Sequence, residues 1–544
     1  MPPLSLESLT RCRVLHGAFF DFTPSFFPTN IDKIVVWCYI ILDVMRTFRI
    51  YIYFEYYEGR RDLLFAGQPC KLDNNNRELK AVALPTAERL RELCLASTPA
   101  RERLCSLFDP DTFVELGAFT KRAYCDLYAT DKTEEFEGVI CGYGAIGGSR
   151  VFAFAEDPSR MKGAVDSRHA KKICDLYNLA LKTGAPVIGI FDSAGADMYE
   201  GIEALAGYAA LMRTVHEASG VIPQIAVIGG LCTGSLAVLA AMYDFVITPS
   251  DSAFYVNASE SEKEAISALT VDSLSDALAK ARTLVAFLPA NASEPLYPEE
   301  CADNLNRMLG ELDFQGDAHA VLSAVADNMI YHEVSRGLAE EITTALLTVG
   351  GVRAGAIVSS FAKNEGRLTG EGARKAARFI DLCDAFGLPL ITLVDSMGLS
   401  LADEKTNLSF AADLAKLASA YASAGVPKVT VIMGHAIGSA YVLLGSKALG
   451  ADITYAVDNA QIGALPADAA VAFAWTDRIS LSVSREDLVK EWKNTVASPA
   501  AAASVGEIDD IISVNELRQR LCSSLLLLSS KGSADTYRHA VRPL

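Results

Sequence analysis

Apolar and polar positions are grouped in regular blocks from Ala83 onward, and the blocks predict strand, turn and helix in repeated succession. Val187–Phe191 reads as a short apolar strand ended by Asp192-Ser193, and Ile202–Ala218 follows as a helix. Ile225–Ile228 is the next strand, Gly229–Thr233 a loop, Ser235–Met242 a short helix and Val246–Thr248 another strand. Strands that are apolar without alternation fit a sheet covered on both faces, and strand–helix alternation predicts α/β layers with largely parallel strands. A lone G-x-G-x-x-G at Gly142, Gly144 and Gly147 is followed by another apolar strand, Val151–Ala155, rather than a helix. Gly147-Gly148 therefore reads as a β-hairpin turn, not as a nucleotide fingerprint.

The pattern occurs twice. "TGAPVIGIFDSAGADM" at 183–198 matches "FGLPLITLVDSMGLSL" at 386–401, which sets Asp192-Ser193 against Asp395-Ser396. "SGVIPQIAVIGGLCTGSLAVLAA" at 219–241 matches "AGVPKVTVIMGHAIGSAYVLLG" at 424–445, which sets Gly234-Ser235 against Gly438-Ser439. A period of about two hundred residues is far too long for a solenoid and indicates a duplicated domain. The expected organisation is an extension at 1–80, a first domain at 81–305 and a second at 306–544. Residues 1–60 are crowded with aromatics but lack helical or strand periodicity, so the extension reads as an appendage to the folded body.

Composition narrows the function. A net charge of −18 argues against nucleic acid or an anionic lipid surface as a partner. The uncharged run Ala218–Tyr243 is long enough to span a bilayer, but Pro223, Gly229, Gly230 and Gly234 cut it into soluble elements, so no membrane span is expected. The 12 cysteines include no C-x-x-C pair and the seven histidines no ligand spacing, which predicts a reduced, cytoplasmic protein without a metal site.

The repeated strand–Gly–Ser–helix junction carries the most chemistry. A glycine there opens backbone N–H groups to a cleft, and the first helical turn adds unpaired donors and a positive dipole end. Such a junction can hold a carbonyl oxygen that becomes negative in a transition state. One junction alone is equally an adaptation to close helix–strand packing; a matched pair points to two oxyanion sites. Asp192 and Asp395 read as turn or cap residues, and Cys232 lacks a fixed histidine partner. His435 stands in the second junction loop, where it could protonate a reacting group or simply be solvated or hydrogen-bonded. No Ser-His-Asp set is apparent, which suits a mechanism that needs oxyanion stabilisation and no protein base.

The segments 183–241 and 386–445, "TPARERLCSLFDPDTFVEL" at 98–116 and the tail 506–531 resemble the carboxyltransferase subunits of biotin-dependent acyl-CoA carboxylases and the related decarboxylases. The resemblance implies two crotonase-like (ClpP/crotonase) ββα-superhelix domains, with acyl-CoA on the first domain of one subunit and biotin on the second domain of its partner. It implies a homo-oligomer, a hexamer built as a ring of dimers, supplied by separate biotin carboxyl carrier and biotin carboxylase subunits. The first oxyanion pair falls on Gly234 and Ser235, the second on Gly438, Ser439 and Ala440; Ala194, Gly195, His435, Ile437 and Tyr441 fall in the ligand-binding motifs. The implied reaction moves a carboxyl group between carboxybiotin and a short acyl-CoA thioester such as acetyl- or propionyl-CoA. A decarboxylase running the same step backwards and a catalytically silent assembly subunit are the alternatives. Asp197 stands where the family has a basic residue and Val442 where many relatives have an acidic one. The chain has no A-M-K-M biotin-attachment sequence, so biotin is expected on another protein.

Overall fold

Strand β1 (Val114–Leu116) lies antiparallel to β2 (Val139–Ile146), which turns back as β3 (Ser149–Glu156). The turn is Gly147 (φ 56°) and Gly148 (φ 80°), two successive positive-φ residues of the kind a tight hairpin requires. From β3 the strands run parallel through β4 (Val187–Ser193), β5 (Gln224–Thr233), β6 (Phe245–Pro249) and, past β7 (Ala253–Tyr255), β8 (Leu269–Val271). The short β7 pairs with the far end of β5.

The same sheet is then built again. Strands β9 (Tyr331–Val334), β10 (Ile342–Val349) and β11 (Val352–Ser359) are antiparallel neighbours, with Gly350 (φ 61°) and Gly351 (φ 81°) at the hairpin. β12 (Leu390–Ser396), β13 (Lys428–Ile437), β14 (Ile453–Val457) and β16 (Asp510–Ile512) continue in parallel, and β15 (Gln461–Gly463) pairs with the end of β13. Strand order is identical in the two sheets, so the duplication read from the sequence holds at the level of topology.

This computed structural model describes residues 97–122, 136–257, 268–301, 303–309, 316–479, 482–531 and 541. The segment read as an N-terminal extension lies outside them. Residues Pro85–Leu544 form one compact unit. One face of the first sheet is covered by the helices Ser167–Thr183, Ile202–Ala218 and Ser235–Ala241, which bury Leu176, Tyr208, Leu211 and Leu236 against Val187, Phe191 and Ile228. The other face belongs to a core shared between the halves, in which Leu104 and Ile190 join Ile380 and Phe386 of the second half. The helices Ala318–Val325 and Leu517–Leu528 close the outer face of the second sheet. The fully buried Arg518 of the latter donates to Asp327 at 2.6 Å, which ties the chain's tail into that layer.

One expectation needs correction. Gly229–Thr233 is not a loop: β5 runs straight through it. Its pairing with β4 shifts register between Phe191 and Ser193, and β7 supplies a new neighbour from Leu231 onward. Among the described residues no helix is long and apolar enough to cross a membrane. The run Ala218–Tyr243 is divided among a helix end, β5 and the helix Ser235–Ala241.

Asp244 sits where the halves meet. Its Oδ2 accepts the Gln224 N–H at 2.8 Å, its Oδ1 makes no hydrogen bond, and Arg378 of the second half donates to the Tyr243 and Asp244 carbonyls. Burial pushes its carboxyl up to about 7. A group raised in the folded state binds a proton there that the unfolded chain has already released. Its contribution to stability is therefore full below about pH 4 and is lost as pH rises towards 7. Asp244→Asn keeps the acceptor for Gln224 without the titration. Urea midpoints measured from pH 4 to pH 8 are expected to show the variant gaining steadily on the parent protein across that window; a constant difference would mean that Asp244 does not titrate there.

Candidate active site

At the end of β5 the chain reaches Gly234, whose φ of 60° and ψ of −131° lie in a region open essentially to glycine. Its N–H is committed to the Tyr255 carbonyl of β7 at 3.2 Å, while its own carbonyl accepts the Ala237 N–H at 3.1 Å and so starts the helix Ser235–Ala241. The first amides of that helix, those of Ser235 and Leu236, have no carbonyl one turn behind them to bond. Ser235 is exposed, and it is not among the positive-φ residues, so a serine fits the first helical position without strain.

The second junction repeats this geometry. Gly438 has φ 58° and ψ −138°, its N–H donates to the Gly463 carbonyl at 2.8 Å, and the helix Ser439–Leu443 begins behind it. Ser439 is exposed and Ala440 buried. In both junctions the glycine amide is already used by the short paired strand, β7 or β15. The amides left over at each junction are those of the residues that follow the glycine.

Asp192 and Asp395 prove to be neither caps nor turn residues. Each lays its carboxylate into a gap left by a glycine of the neighbouring strand: a Cβ on Gly230 would stand 2.4 Å from Asp192 Oδ1, and one on Gly434 would stand 2.5 Å from Asp395 Oδ1. Each carboxylate then accepts the next backbone amide, Leu231 N–H at 3.1 Å and His435 N–H at 2.8 Å. The two aspartates thus pin β5 and β13 three residues before the junction glycines.

The surroundings of the two pins differ. Arg103, from the helix Pro99–Leu107, pairs with Asp192 Oδ2 at 2.7 Å. Asp395 instead holds the His435 ring through Nδ1 at 2.9 Å, and the ring stacks on Phe361 with centroids 4.9 Å apart. A cavity of about 450 Å³ opens there, lined by Ser359, Phe361, Asp395, His435, Asn459 and Gln461 among others. Tyr441 turns away from this cavity's lining and donates to Glu507 at 3.1 Å; burial, then that carboxylate, push its hydroxyl up to about 12. The Ile437 side chain is buried. Cys232 is also fully buried, and burial raises its thiol well above the ordinary value, which leaves it inert as a nucleophile.

After β4 the chain forms a tight loop. Ala194 N–H donates to the Lys162 carbonyl at 3.0 Å, and Gly195, with φ 111°, donates to Ser193 Oγ at 3.1 Å. Asp197, the acidic residue in a place expected to be basic, is buried and paired with Arg122, which also lies near Asp166 Oδ2 at 3.7 Å. The position has not lost its cation; the cation comes from a residue 75 positions earlier in the chain. A second cavity, of about 490 Å³, gathers Lys121 with Arg168, Lys171 and Lys172 of the helix Ser167–Thr183 against the single acid Asp175, a local excess of positive charge in an acidic protein. Sequence reasoning missed Arg103, Arg122, Glu156 and Ser359. The constant offset between the repeats, which aligns 156 with 359, was the signal that could have found the last two.

A duplicated ββα sheet with an amide-bearing glycine junction in each half defines an acyl-handling protein of the crotonase type. The sequence matches the family of carboxyl transferase domains over residues 96–259 and 260–541, and the chain belongs to that family. It is 32% identical over 469 residues to the propionyl-CoA carboxylase beta chain of Cereibacter sphaeroides, covering 81% of this chain and 92% of that one. It is 32% identical over 478 residues to the mitochondrial propionyl-CoA carboxylase beta chain of Homo sapiens, covering 82% and 88%. The crystal structure of transcarboxylase 12S, a hexamer solved with methylmalonyl-coenzyme A and methylmalonic acid, superposes with a TM-score of 0.75 at 28% identity over 84% of this chain and 94% of that one.

Proposed function

We propose that the chain is the carboxyltransferase component of a biotin-dependent acyl-CoA carboxylase. It moves a carboxyl group between carboxybiotin, carried by a separate protein, and a short acyl-CoA such as acetyl- or propionyl-CoA. The observation that carries this reading is the doubled junction: two sets of leftover amides, after Gly234 and after Gly438, in a chain that matches propionyl-CoA carboxylase beta chains through both halves. Carboxybiotin supplies the carboxyl group and, once decarboxylated, the base that takes the α-proton of the thioester. The amides of Ser235 and Leu236 face the thioester oxygen as it becomes an enolate, and those of Ser439 and Ala440 face the ureido oxygen. Donors fixed in advance lose nothing to reorganisation as charge develops, which is why a backbone junction suits the task. The basic cavity around Arg168 and Lys171 supports the first half as the side that receives an anionic CoA.

Assembly follows from the same division of labour. Exposed apolar residues flank equivalent loops, Met198 and Leu205 in the first half and Leu401 and Leu408 in the second, each pair at the offset of 203 that relates Asp192 to Asp395. Two such patches on one chain suit the first half of one subunit facing the second half of another, in a hexamer served by biotin carboxyl carrier and biotin carboxylase subunits. The cysteines, scattered and without C-x-x-C pairing, fit the reducing cytoplasm. The test is transfer of labelled carboxyl between methylmalonyl- or malonyl-CoA and free biotin by the purified chain, with sedimentation in parallel. Exchange by an oligomer is expected. No exchange with any short acyl-CoA would favour the silent assembly subunit, and an active monomer would contradict the shared site.

A further inference from the structure

The first half carries a buried Glu–His–Glu cluster that the second half does not repeat. Glu156 ends β3, with Glu137 just before β2 and His169 in the first turn of the helix Ser167–Thr183; all three are at most 1% exposed. His169 Nε2 lies 3.7 Å from Glu156 Oε1 and Nδ1 lies 3.7 Å from Glu137 Oε1. Both ring nitrogens, Glu156 Oε1, Glu137 Oε2 and the buried Tyr208 hydroxyl make no hydrogen bond. Burial pushes both glutamates up, and His169 pulls each back. Polar groups so placed work against folding.

The second half shows what the fold itself requires. Ser359 ends β11 in the place of Glu156, and its Oγ accepts the Asp395 N–H at 2.6 Å, as Glu156 Oε2 accepts the Asp192 N–H at 2.8 Å. Gly372 stands in the place of His169, and a Cβ there would meet Glu341 Oε1 at 2.5 Å. A hydroxyl acceptor and no imidazole are enough to build the same pin. The carboxylate and its histidine therefore serve something other than the fold.

We propose that Glu156, buried beside His169, is a positioning residue for the first junction. It acts through a relay of two hydrogen bonds: Glu156 fixes the Asp192 amide, and Asp192 fixes the Leu231 amide three residues before Gly234. The inference rests on the proposed carboxyl transfer for its kinetic consequence, but its structural core can be tested without that reaction.

Two measurements on the full-length oligomer test it. In amide hydrogen exchange, Glu156→Ala is expected to speed exchange in peptides covering 190–235 and to leave 393–439, the built-in reference, unchanged. In carboxyl transfer, Glu156→Ala is expected to lower kcat between about 10- and 100-fold with little change in KM for the acyl-CoA, because the oxyanion donors lose their placement. Glu156→Gln, whose carbonyl still accepts the Asp192 amide, should restore most of both signals. Unchanged protection in 190–235 would overturn the relay whether or not the parent protein catalyses exchange. So would a Gln variant as impaired as the Ala variant with the same fall in unfolding midpoint, since that pattern marks a purely structural glutamate. An inactive parent protein with altered protection in Glu156→Ala would sink the proposed reaction and leave the relay standing.

Discussion

Gly234→Val is expected to abolish carboxyl exchange, lowering it by about 10²- to 10³-fold, while the oligomer persists. The reason is conformational and not steric. A Cβ on Gly234 would meet nothing within 4 Å, so the valine has room. At φ 60° and ψ −131°, however, a β-branched residue costs about 1–3 kcal/mol. The cheapest relief is to rotate the peptide between residues 234 and 235, which swings the Ser235 amide out of line and breaks the Gly234–Tyr255 bond that sets the turn. Gly234→Ala should fall between valine and the parent protein. Gly438→Val should do the same to the second junction with a steric addition, because a Cβ there would already sit 3.3 Å from the Ala464 carbonyl. Exchange of label and sedimentation, measured on the same samples, decide the point. Unimpaired exchange with an intact oligomer would return both junctions to the role of close strand–helix packing.

The junctions were legible because their signals are local and repeated. Val187–Phe191 is apolar throughout, Gly147-Gly148 can turn a hairpin, the helix Ile202–Ala218 carries its own periodicity, and a nearly constant offset links each copy to its partner. What escaped depends on contacts that local pattern does not encode. β5 continues through Gly229 and Gly230 because Asp192 fills the gap beside them and β7 takes over the pairing; a glycine pair alone reads as a break. Asp197 looks like an unpaired acid at a basic position until Arg122 is seen against it, and Asp192 looks like a cap until Arg103 and Leu231 are. His435 is read from the sequence as solvated or hydrogen-bonded; the structure selects the second, with Asp395 holding the ring and Phe361 stacked on it. The expectations for residues 1–80 fall outside the described residues.

Gly366→Ala and Gly163→Ala are expected to be strongly destabilising, each costing about 3 kcal/mol or more and leaving little soluble chain. Each glycine closes a run of three left-handed residues, Met161, Lys162 and Gly163 (φ 48°, 55° and 68°) or Asn364, Glu365 and Gly366 (φ 49°, 54° and 63°). These runs carry the chain under the pins. Lys162 accepts the Ala194 amide at 3.0 Å and Glu365 the Met397 amide at 3.1 Å, so the loops after β4 and β12 hang on them. The added Cβ would stand 2.4 Å from the Asp192 carbonyl oxygen or 2.1 Å from that of Asp395. Neither oxygen can retreat, because each belongs to the backbone whose amide is already held by Glu156 or Ser359. Gly147→Ala is the control: it has a similar φ of 56° and nothing within 4 Å, so it carries conformational strain alone, about 1 kcal/mol. Denaturant midpoints for the three variants separate the two costs. If Gly366→Ala is as mild as Gly147→Ala, the aspartate backbone has room to move, and the pins are not the rigid supports of the junctions that their duplicated geometry implies.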